Sequence, residues 1–172
     1  MWGAVILSPS TLEPIIQEKE KKYAVEPALI KAHIKAESNW DVNASRFEAH
    51  KGDASWGLMQ LLLVTAREVL NIPTLSTTQL IQPRINIEAG TKFISQNLNR
   101  FGNMRDAIAA YNAGSPRLNA AGKYVNQAYV DRVTNSYNLY KTMGTGIVTE
   151  AAIDTSEAIT NPDMIPIYLM VG

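Results

Sequence analysis

The chain has 172 residues, of which 46% are hydrophobic and 19% are charged, and its formal net charge is zero. This length and apolar content are sufficient for one domain with a buried core. Balanced charge provides no basic surface for nucleic acid or an anionic membrane, so no nucleic-acid partner is expected. Cysteine is absent, and the two histidines have no partner at a metal-ligand spacing, so no metal or cofactor is expected.

The predicted elements are mainly helical. An apolar arm over residues 1–10 precedes a first helix, which is predicted to start near Ser10 because Ser10 and Glu13 match a capping box. A second helix is predicted over residues 27–39, since it begins with the proline that is typical of a first helical turn. Residues 41–57 are polar and irregular, and they predict a short hairpin or a lid.

The second half of the chain predicts further helices and a tail. The helices are expected over residues 65–70, 86–100, 104–111 and 124–140. The helical domain should therefore span residues 11–141, followed by a C-terminal extension over residues 142–172. This extension ends in an apolar run, which we expect to pack on the helical body or to dock on another subunit. No stretch is long enough to span a membrane, and the N-terminus lacks the basic region of a signal peptide.

Glu37 is the candidate catalytic residue. Ile30, Ile34 and Glu37 lie at i, i+4 and i+7 of the second predicted helix, so the carboxyl group continues an apolar stripe. A carboxyl group that loses its hydration favours the neutral form, and a protein can keep a general acid protonated near neutral pH in this way. The alternative is a glutamate at the helix end that faces solvent or pairs with a lysine, and this segment alone does not decide between the two.

Five short motifs follow one another at compatible spacings. They are Ala36-Glu37-Ser38, Gly57-Leu58-Met59-Gln60, Asn86-Ile87-Glu88-Ala89-Gly90, Ala110-Tyr111-Asn112-Ala113-Gly114 and Tyr129-Val130-Asp131-Arg132-Val133. With these motifs in this order, the chain resembles the lytic transglycosylases of the soluble-lytic-transglycosylase type, a branch of the lysozyme-like superfamily related to goose-type lysozymes. The resemblance implies a mainly α, lysozyme-like domain with a groove for a peptidoglycan glycan strand, and hence a peptidoglycan-cleaving enzyme.

The resemblance also implies a mechanism and a set of site residues. Glu37 would act as acid and then as base in cleaving the β-1,4 bond between N-acetylmuramic acid and N-acetylglucosamine, with a 1,6-anhydro product. The implied substrate-binding residues surround this acid, and they are Ser38, Met59, Gln60, Tyr111, Asn112 and Tyr129. Tyr129 is expected to reach the acid itself. A backbone hydrogen bond for Ser38 and a core position for Met59 are open alternatives.

Neighbouring residues predict structural roles. His33 lies one turn before Glu37 and is interpreted as a buried core histidine rather than a catalytic partner. Asn86 and Gly90 are expected to serve a helix start and a close helix contact.

Two other functions stay open on the sequence alone. A goose-type lysozyme would hydrolyse the same bond with a second carboxylate, about 6.5–9.5 Å from the acid for inversion. The irregular segment supplies Asp41, Glu48 and Asp53 as candidates. The second alternative is a non-catalytic wall-docking or structural virion module.

The termini predict where the protein acts. The apparent lack of a leader and the two apolar ends predict a phage virion component, a tail or ejected protein that acts in the host periplasm. Other virion proteins would be its partners through the N- and C-terminal apolar segments. The alternative is an enzyme of the bacterial periplasm.

Overall fold

The computed structural model describes residues 3–49 and 52–144, and the expected mainly α fold is confirmed. In chain order the elements are α1 Pro9–Tyr23, α2 Pro27–Ser38, β1 Ser45–Glu48, β2 Asp53–Trp56, β3 Leu61–Leu62, α3 Leu63–Leu70, α4 Thr77–Leu80, α5 Pro83–Phe101, α6 Met104–Ala113 and α7 Gln127–Gly144. Residues 145–172, on which most of the predicted C-terminal extension falls, lie outside the described residues.

The start of the first helix differs from the prediction. Ser8 is the N-cap, because its Oγ accepts the backbone N–H of Thr11 at 3.2 Å, and Pro9 takes the first helical position. The capping box predicted for Ser10 and Glu13 is therefore wrong. A proline in the first turn is tolerated there because the first N–H groups of a helix have no intrahelical partner.

Helix α2 runs through the middle of the core. It packs against α1 and, most extensively, against α7, while α5 packs against α1 and α6. Aliphatic side chains with 0% exposure fill the space between these helices, among them Ile30, Ile34, Leu58, Ile87 and Val133. Such close packing fixes the orientation of the last turn of α2, which carries Glu37.

The irregular segment folds as a hairpin. Strands β1 and β2 are antiparallel, with Ser45 opposite Trp56 and Glu48 opposite Asp53, and β3 extends the sheet beyond β2. Side chains of a strand alternate between its two faces, so Arg46 and Glu48 share one face of β1. The hairpin thus carries a pair of opposite charges next to the end of α2.

The N-terminal arm lies against the chain that follows α2. Leu7 N donates to Trp40 O and Val42 N donates to Val5 O, each at 3.0 Å. Val5 N donates to the carboxylate of Asp41 at 2.9 Å. Of the helices in residues 3–49 and 52–144, none combines the length and the apolar character needed to span a membrane.

Candidate active site

Glu37 lies in the last turn of α2, at the point where the chain turns sharply. Asn39 and Trp40 both adopt positive φ, at 49° and 68°, and thereby end the helix directly beyond Glu37. The Glu37 side chain is partly buried, and its Oε1 accepts a hydrogen bond from the Tyr129 hydroxyl at 2.6 Å. The partner of the carboxyl group is therefore a tyrosine of α7 rather than a lysine.

The surroundings of Glu37 favour the neutral acid. Burial raises its pKa from an ordinary value of 4.5 to about 7, and the negative charge of Glu48 acts in the same direction. The hydrogen bond from Tyr129 and the positive charges of Arg46 and Arg132 oppose this rise. Desolvation outweighs them because no cation reaches hydrogen-bonding distance of the carboxyl group among the contacts described.

Two clefts meet at Glu37. One has a volume of about 310 Å³ and the other of about 510 Å³, and Glu37, Arg46 and Gln60 line both. The first cleft is also lined by Glu48, Leu62, Thr65, Phe93, Tyr111 and Asn112. The second is formed mainly by the end of α2 and by residues 41–46. A carboxyl group at the junction of two clefts can reach a bond between two neighbouring units of an extended substrate.

The Asn86 side chain fixes the turn that forms one wall of the site. Its Oδ1 accepts the backbone N–H of Met59 at 2.7 Å, and its Nδ2 donates to Trp56 O at 2.9 Å. Gly57 has a φ of 74°, and a Cβ there would lie 2.5 Å from Asn86 Nδ2, so the turn requires glycine. The structural role predicted for Asn86 is confirmed, but the residue lies inside α5 rather than at its start.

The interpretation of Gly90 as a close helix contact is also confirmed. A Cβ on Gly90 would lie 2.2 Å from Met59 Sδ, so the thioether occupies the space that glycine leaves on α5. The Met59 side chain has 0% exposure and lines neither cleft. The structure thus places the Met59 side chain in the core, as in the alternative, and its binding of substrate stays a prediction.

Three of the predicted binding residues line the clefts, and each has a side-chain atom that is hydrogen-bonded within the protein. Gln60 accepts from Ser55 Oγ and donates to Ala44 O, each at 3.0 Å, and so joins the hairpin to the neighbouring turn. Ser38 lines the second cleft, and its Oγ donates to Ile34 O at 3.2 Å, as in the backbone alternative. The exposed side chain of Asn112 lines the first cleft.

The two tyrosines differ in their relation to the clefts. Tyr111 lines the first cleft, and its hydroxyl donates to Met59 O at 2.9 Å. Tyr129 lines neither cleft and is 5% exposed, so it contacts Glu37 from the protein interior. Behind Tyr129, the Nδ1 of His33 lies 3.1 Å from the Tyr129 oxygen. His33 is buried as expected, and burial lowers its pKa to about 3.

The three candidate second carboxylates have different surroundings. Glu48 lines the same cleft as Glu37 and forms an ion pair with Arg46 at 2.9 Å. Asp41 lines the second cleft, but its Oδ1 accepts the backbone N–H groups of Val5 and Asn43. Asp53 lines neither cleft. Of the three, Glu48 is the one whose negative charge raises the pKa of Glu37.

Arg46 and Arg132 were missed as site residues in the sequence. The Arg46 side chain lines both clefts, and the guanidinium of Arg132 lies 5.5 Å from the Tyr129 ring centre. The period-2 alternation of β1 would have placed Arg46 beside Glu48, whereas no local signal relates Arg132 to Glu37. In residues 3–49 and 52–144 no three acidic or histidine side chains are grouped so as to hold a metal ion.

Comparison with known proteins decides the family. The Transglycosylase SLT domain family matches residues 14–132. The chain belongs to this family. Over 131 residues, which are 76% of this chain, it is 28% identical to a transglycosylase of Enterobacteria phage PRD1, and it covers 44% of that relative. It is 37% identical over 87 residues to the soluble lytic murein transglycosylase of Escherichia coli K12, covering 45% of this chain and 14% of that one.

A solved structure of the family has the same fold. The lytic transglycosylase Slt of Pseudomonas aeruginosa, an inactive glutamate-to-glutamine mutant, matches with a TM-score of 0.64 and 27% identity. The match covers 87% of this chain and 26% of that chain. The expected lysozyme-like transglycosylase fold is thus confirmed, while this SLT-family chain spans less than half the length of each of these relatives.

Proposed function

We propose that this SLT-family domain is a lytic transglycosylase, which cleaves the β-1,4 bond between N-acetylmuramic acid and N-acetylglucosamine in peptidoglycan. The observation that carries the proposal is the Glu37 carboxyl group, which has a pKa of about 7 and lies at the junction of two clefts. A group with this pKa can both donate and accept a proton at neutral pH.

Glu37 would serve as acid and then as base. The neutral acid donates its proton to the glycosidic oxygen, the bond from that oxygen to the anomeric carbon breaks, and the N-acetylglucosamine side leaves as an alcohol. The N-acetyl group of the muramic sugar supports the electron-poor anomeric carbon. The Glu37 carboxylate then takes the proton of the C6 hydroxyl of the muramic sugar, while the C6 oxygen bonds to the anomeric carbon. This closes the 1,6-anhydro ring and returns Glu37 to its neutral form.

The cleft residues would hold the glycan around this acid. Asn112 presents an amide at the first cleft, and Ser38 lies in the second. Gln60 lies between them. Its amide joins the hairpin to the neighbouring turn, and the exposed part of its side chain would contact the glycan. Tyr111 offers its ring to a sugar, since its hydroxyl is bonded to Met59 O. Tyr129 would act on the acid rather than on the glycan.

The relatives support the same activity. The PRD1 relative is a transglycosylase and the Escherichia coli relative is a soluble lytic murein transglycosylase. In the Pseudomonas aeruginosa enzyme, replacement of one glutamate by glutamine gives an inactive protein. An essential glutamate is what the proposed mechanism requires of Glu37, and it argues against a purely structural or wall-docking module.

The products of digestion test the proposal. Mass spectrometry of purified peptidoglycan treated with the protein should detect anhydro-muropeptides without incorporation of oxygen from ¹⁸O-labelled water. Reducing ends that carry ¹⁸O would indicate hydrolysis, and the proposal would then be wrong.

Replacement of Glu48 distinguishes the transglycosylase reaction from hydrolysis. Glu48 would be the base of a hydrolase because it lines the cleft of Glu37. In the transglycosylase, Glu48→Gln should lower the rate by less than about tenfold, whereas loss of a general base typically costs roughly 10²–10⁴-fold. A Glu48→Gln protein as inactive as Glu37→Gln would favour the hydrolase.

We further propose that the protein is a phage virion component that acts on the wall in the host periplasm. The match to a transglycosylase of a phage supports this placement. Mass spectrometry of purified virions tests it, and absence of the protein from the particles would contradict it. The other placement is a bacterial periplasmic enzyme.

A further inference from the structure

We propose that His33 is a positioning residue, which orients the acid Glu37 by donating a hydrogen bond to Tyr129. This inference rests on the proposed function, because it concerns the proton that Glu37 transfers. The three side chains form one continuous chain of hydrogen bonds, with 3.1 Å between His33 Nδ1 and the Tyr129 oxygen and 2.6 Å between that oxygen and Glu37 Oε1.

The number of protons fixes the direction of these bonds. A tyrosine hydroxyl carries one proton, and that of Tyr129 is donated to Glu37 Oε1. The contact with His33 is then a hydrogen bond only if Nδ1 carries a proton that it donates to the tyrosine oxygen. His33 is 1% exposed and neutral, so this proton requires the Nδ1–H tautomer.

This direction determines where the acid carries its proton. Because the Tyr129 oxygen receives the His33 proton and donates its own, Oε1 of Glu37 remains an acceptor in both protonation states. The proton of the neutral acid is then placed on Oε2, the oxygen that does not face Tyr129. Without a donor at His33, the acid could donate from Oε1 to the tyrosine oxygen, and its proton would point away from the glycan.

Among the described neighbours of Tyr129 and Glu37, His33 is the group placed to donate a hydrogen bond to the Tyr129 oxygen. Tyr111 lies against the imidazole, with 4.5 Å between the ring centres, but its hydroxyl donates to Met59 O. Arg132 of α7 lies over the Tyr129 ring, while Arg46 and Glu48 of β1 act on Glu37 through their charges. His33 itself lines neither cleft, so it can affect the substrate only through Tyr129 and Glu37.

The tautomer of His33 tests the proposal on the wild-type protein. The chain has two histidines, so ¹⁵N-imidazole spectra of the protein and of His50→Gln assign both rings. Between pH 5 and pH 8 the expected signature is a neutral His33 ring with the proton on Nδ1. A proton on Nε2 alone, or a charged ring, would overturn the proposal. This measurement needs no turnover, so it is independent of whether the protein cleaves peptidoglycan.

A matched pair of variants tests the effect on catalysis. His33→Asn keeps an N–H near the position of Nδ1, whereas His33→Leu removes it. We expect kcat of His33→Leu to fall about tenfold with KM unchanged, since only the transition state uses the orientation of the acid. His33→Asn should recover at least about half of this loss on a logarithmic scale. Equal losses in two folded variants, or a change confined to KM, would contradict the positioning role.

Discussion

Two glutamates of this SLT-family domain are both partly buried, Glu37 more deeply than Glu88, and their pKa values shift in opposite directions. Glu37 and Glu88 both lie on helices, are partly buried, and accept a hydrogen bond from a tyrosine hydroxyl, at 2.6 Å from Tyr129 and at 2.8 Å from Tyr23. Burial raises the pKa of Glu37 to about 7. Burial acts in the same direction on Glu88, but hydrogen bonds from Lys22, Lys19 and Tyr23 lower its pKa to about 2.

Besides burial, the two carboxyl groups differ in the cations within hydrogen-bonding reach. Lys19 is 2% exposed and donates to Glu88 at 2.9 Å, and Lys22 donates to the other carboxylate oxygen. The arginines near Glu37 act only through their charge and leave its carboxyl group without a cationic donor. Glu37 is the more deeply buried and has no cationic donor, whereas Glu88 is less buried and has two, so one carboxyl group can donate a proton at neutral pH and the other is a structural anion.

Removing each carboxylate should have opposite consequences for activity. Glu37→Gln should lower the rate of peptidoglycan cleavage by about 10³-fold or more, because loss of a general acid typically costs roughly 10²–10⁴-fold. Glu88→Gln should leave kcat within about twofold, measured per folded molecule by turbidity loss of cell walls. Equal losses in the two variants would show that Glu37 has no special role.

Of the two replacements, Glu88→Gln should lower the free energy of unfolding the more. Replacement of Glu88 by glutamine leaves the buried Lys19 ammonium without its interior partner, so the free energy of unfolding at pH 7 should fall by roughly 2–3 kcal/mol. Glu18→Gln is the matched control, since this other partner of Lys19 is 46% exposed and its ion pair is screened by solvent, so its replacement should cost much less. Urea denaturation measures both.

The pH dependence of the Glu88 effect follows from the sign of its shift. The folded pKa lies below the ordinary value of 4.5, so the stabilisation is present above pH 4.5 and is lost as pH falls through about 2. The stability difference between wild type and Glu88→Gln should therefore shrink over this range. A difference that stays constant to pH 2 would contradict the assigned shift.

Glu37 should destabilise the fold at alkaline pH. Its folded pKa is raised from 4.5 to about 7, so the unfolded chain ionises first and stability is lost as pH rises through this range. We expect Glu37→Gln to be more stable than wild type by roughly 1–3 kcal/mol at pH 8, and to differ much less at pH 4. Thermal denaturation at both pH values gives the comparison, and a Gln variant that is less stable at pH 8 would refute it.

The smallest expected effects are those of replacing Tyr129 and Tyr23, the tyrosines that donate to the two carboxyl groups. Tyr129→Phe removes the donor that lowers the Glu37 pKa, so the alkaline limit of activity should move up by less than about one pH unit. Tyr23→Phe should change the pKa of Glu88 less, because two lysines still donate to its carboxylate. A downward shift in Tyr129→Phe would mean that the Tyr129 hydroxyl stabilises the neutral acid rather than the carboxylate, contrary to the assigned direction.

The sequence predicted the helices and the burial of Glu37 better than the contacts in the walls of the clefts. Helical periodicity and the order of five motifs led to Glu37, since both are local or sequential signals. The position of the Met59 side chain in the core could not be predicted, because a motif does not reveal which of its side chains turns into the core. The hydrogen bonds of Gln60 with Ala44 and Ser55 depend on how the hairpin packs against the turn that carries Gln60. No local sequence pattern predicts this packing.

Long-range contacts explain the remaining differences. Arg132 and Tyr129 reach Glu37 because α7 packs along α2, and their separation in the chain leaves no periodic signal. Lys19 lies in a run of five charged residues, Glu18 to Lys22, yet it is 2% exposed because its ammonium group pairs with Glu88 of α5. Burial of a charged residue depends on its partner, and the partner is set by tertiary packing.

Direct titration of the Glu37 side chain tests the central claim. The ¹³C carboxyl resonance of a glutamate-labelled protein, assigned with Glu37→Gln, should titrate with a midpoint near 7, far above the ordinary value of 4.5. In the same spectra Glu88 should remain ionised down to about pH 2. A Glu37 midpoint at or below 4.5 would contradict the account, because a carboxylate already ionised at neutral pH has no proton to give to the glycosidic oxygen.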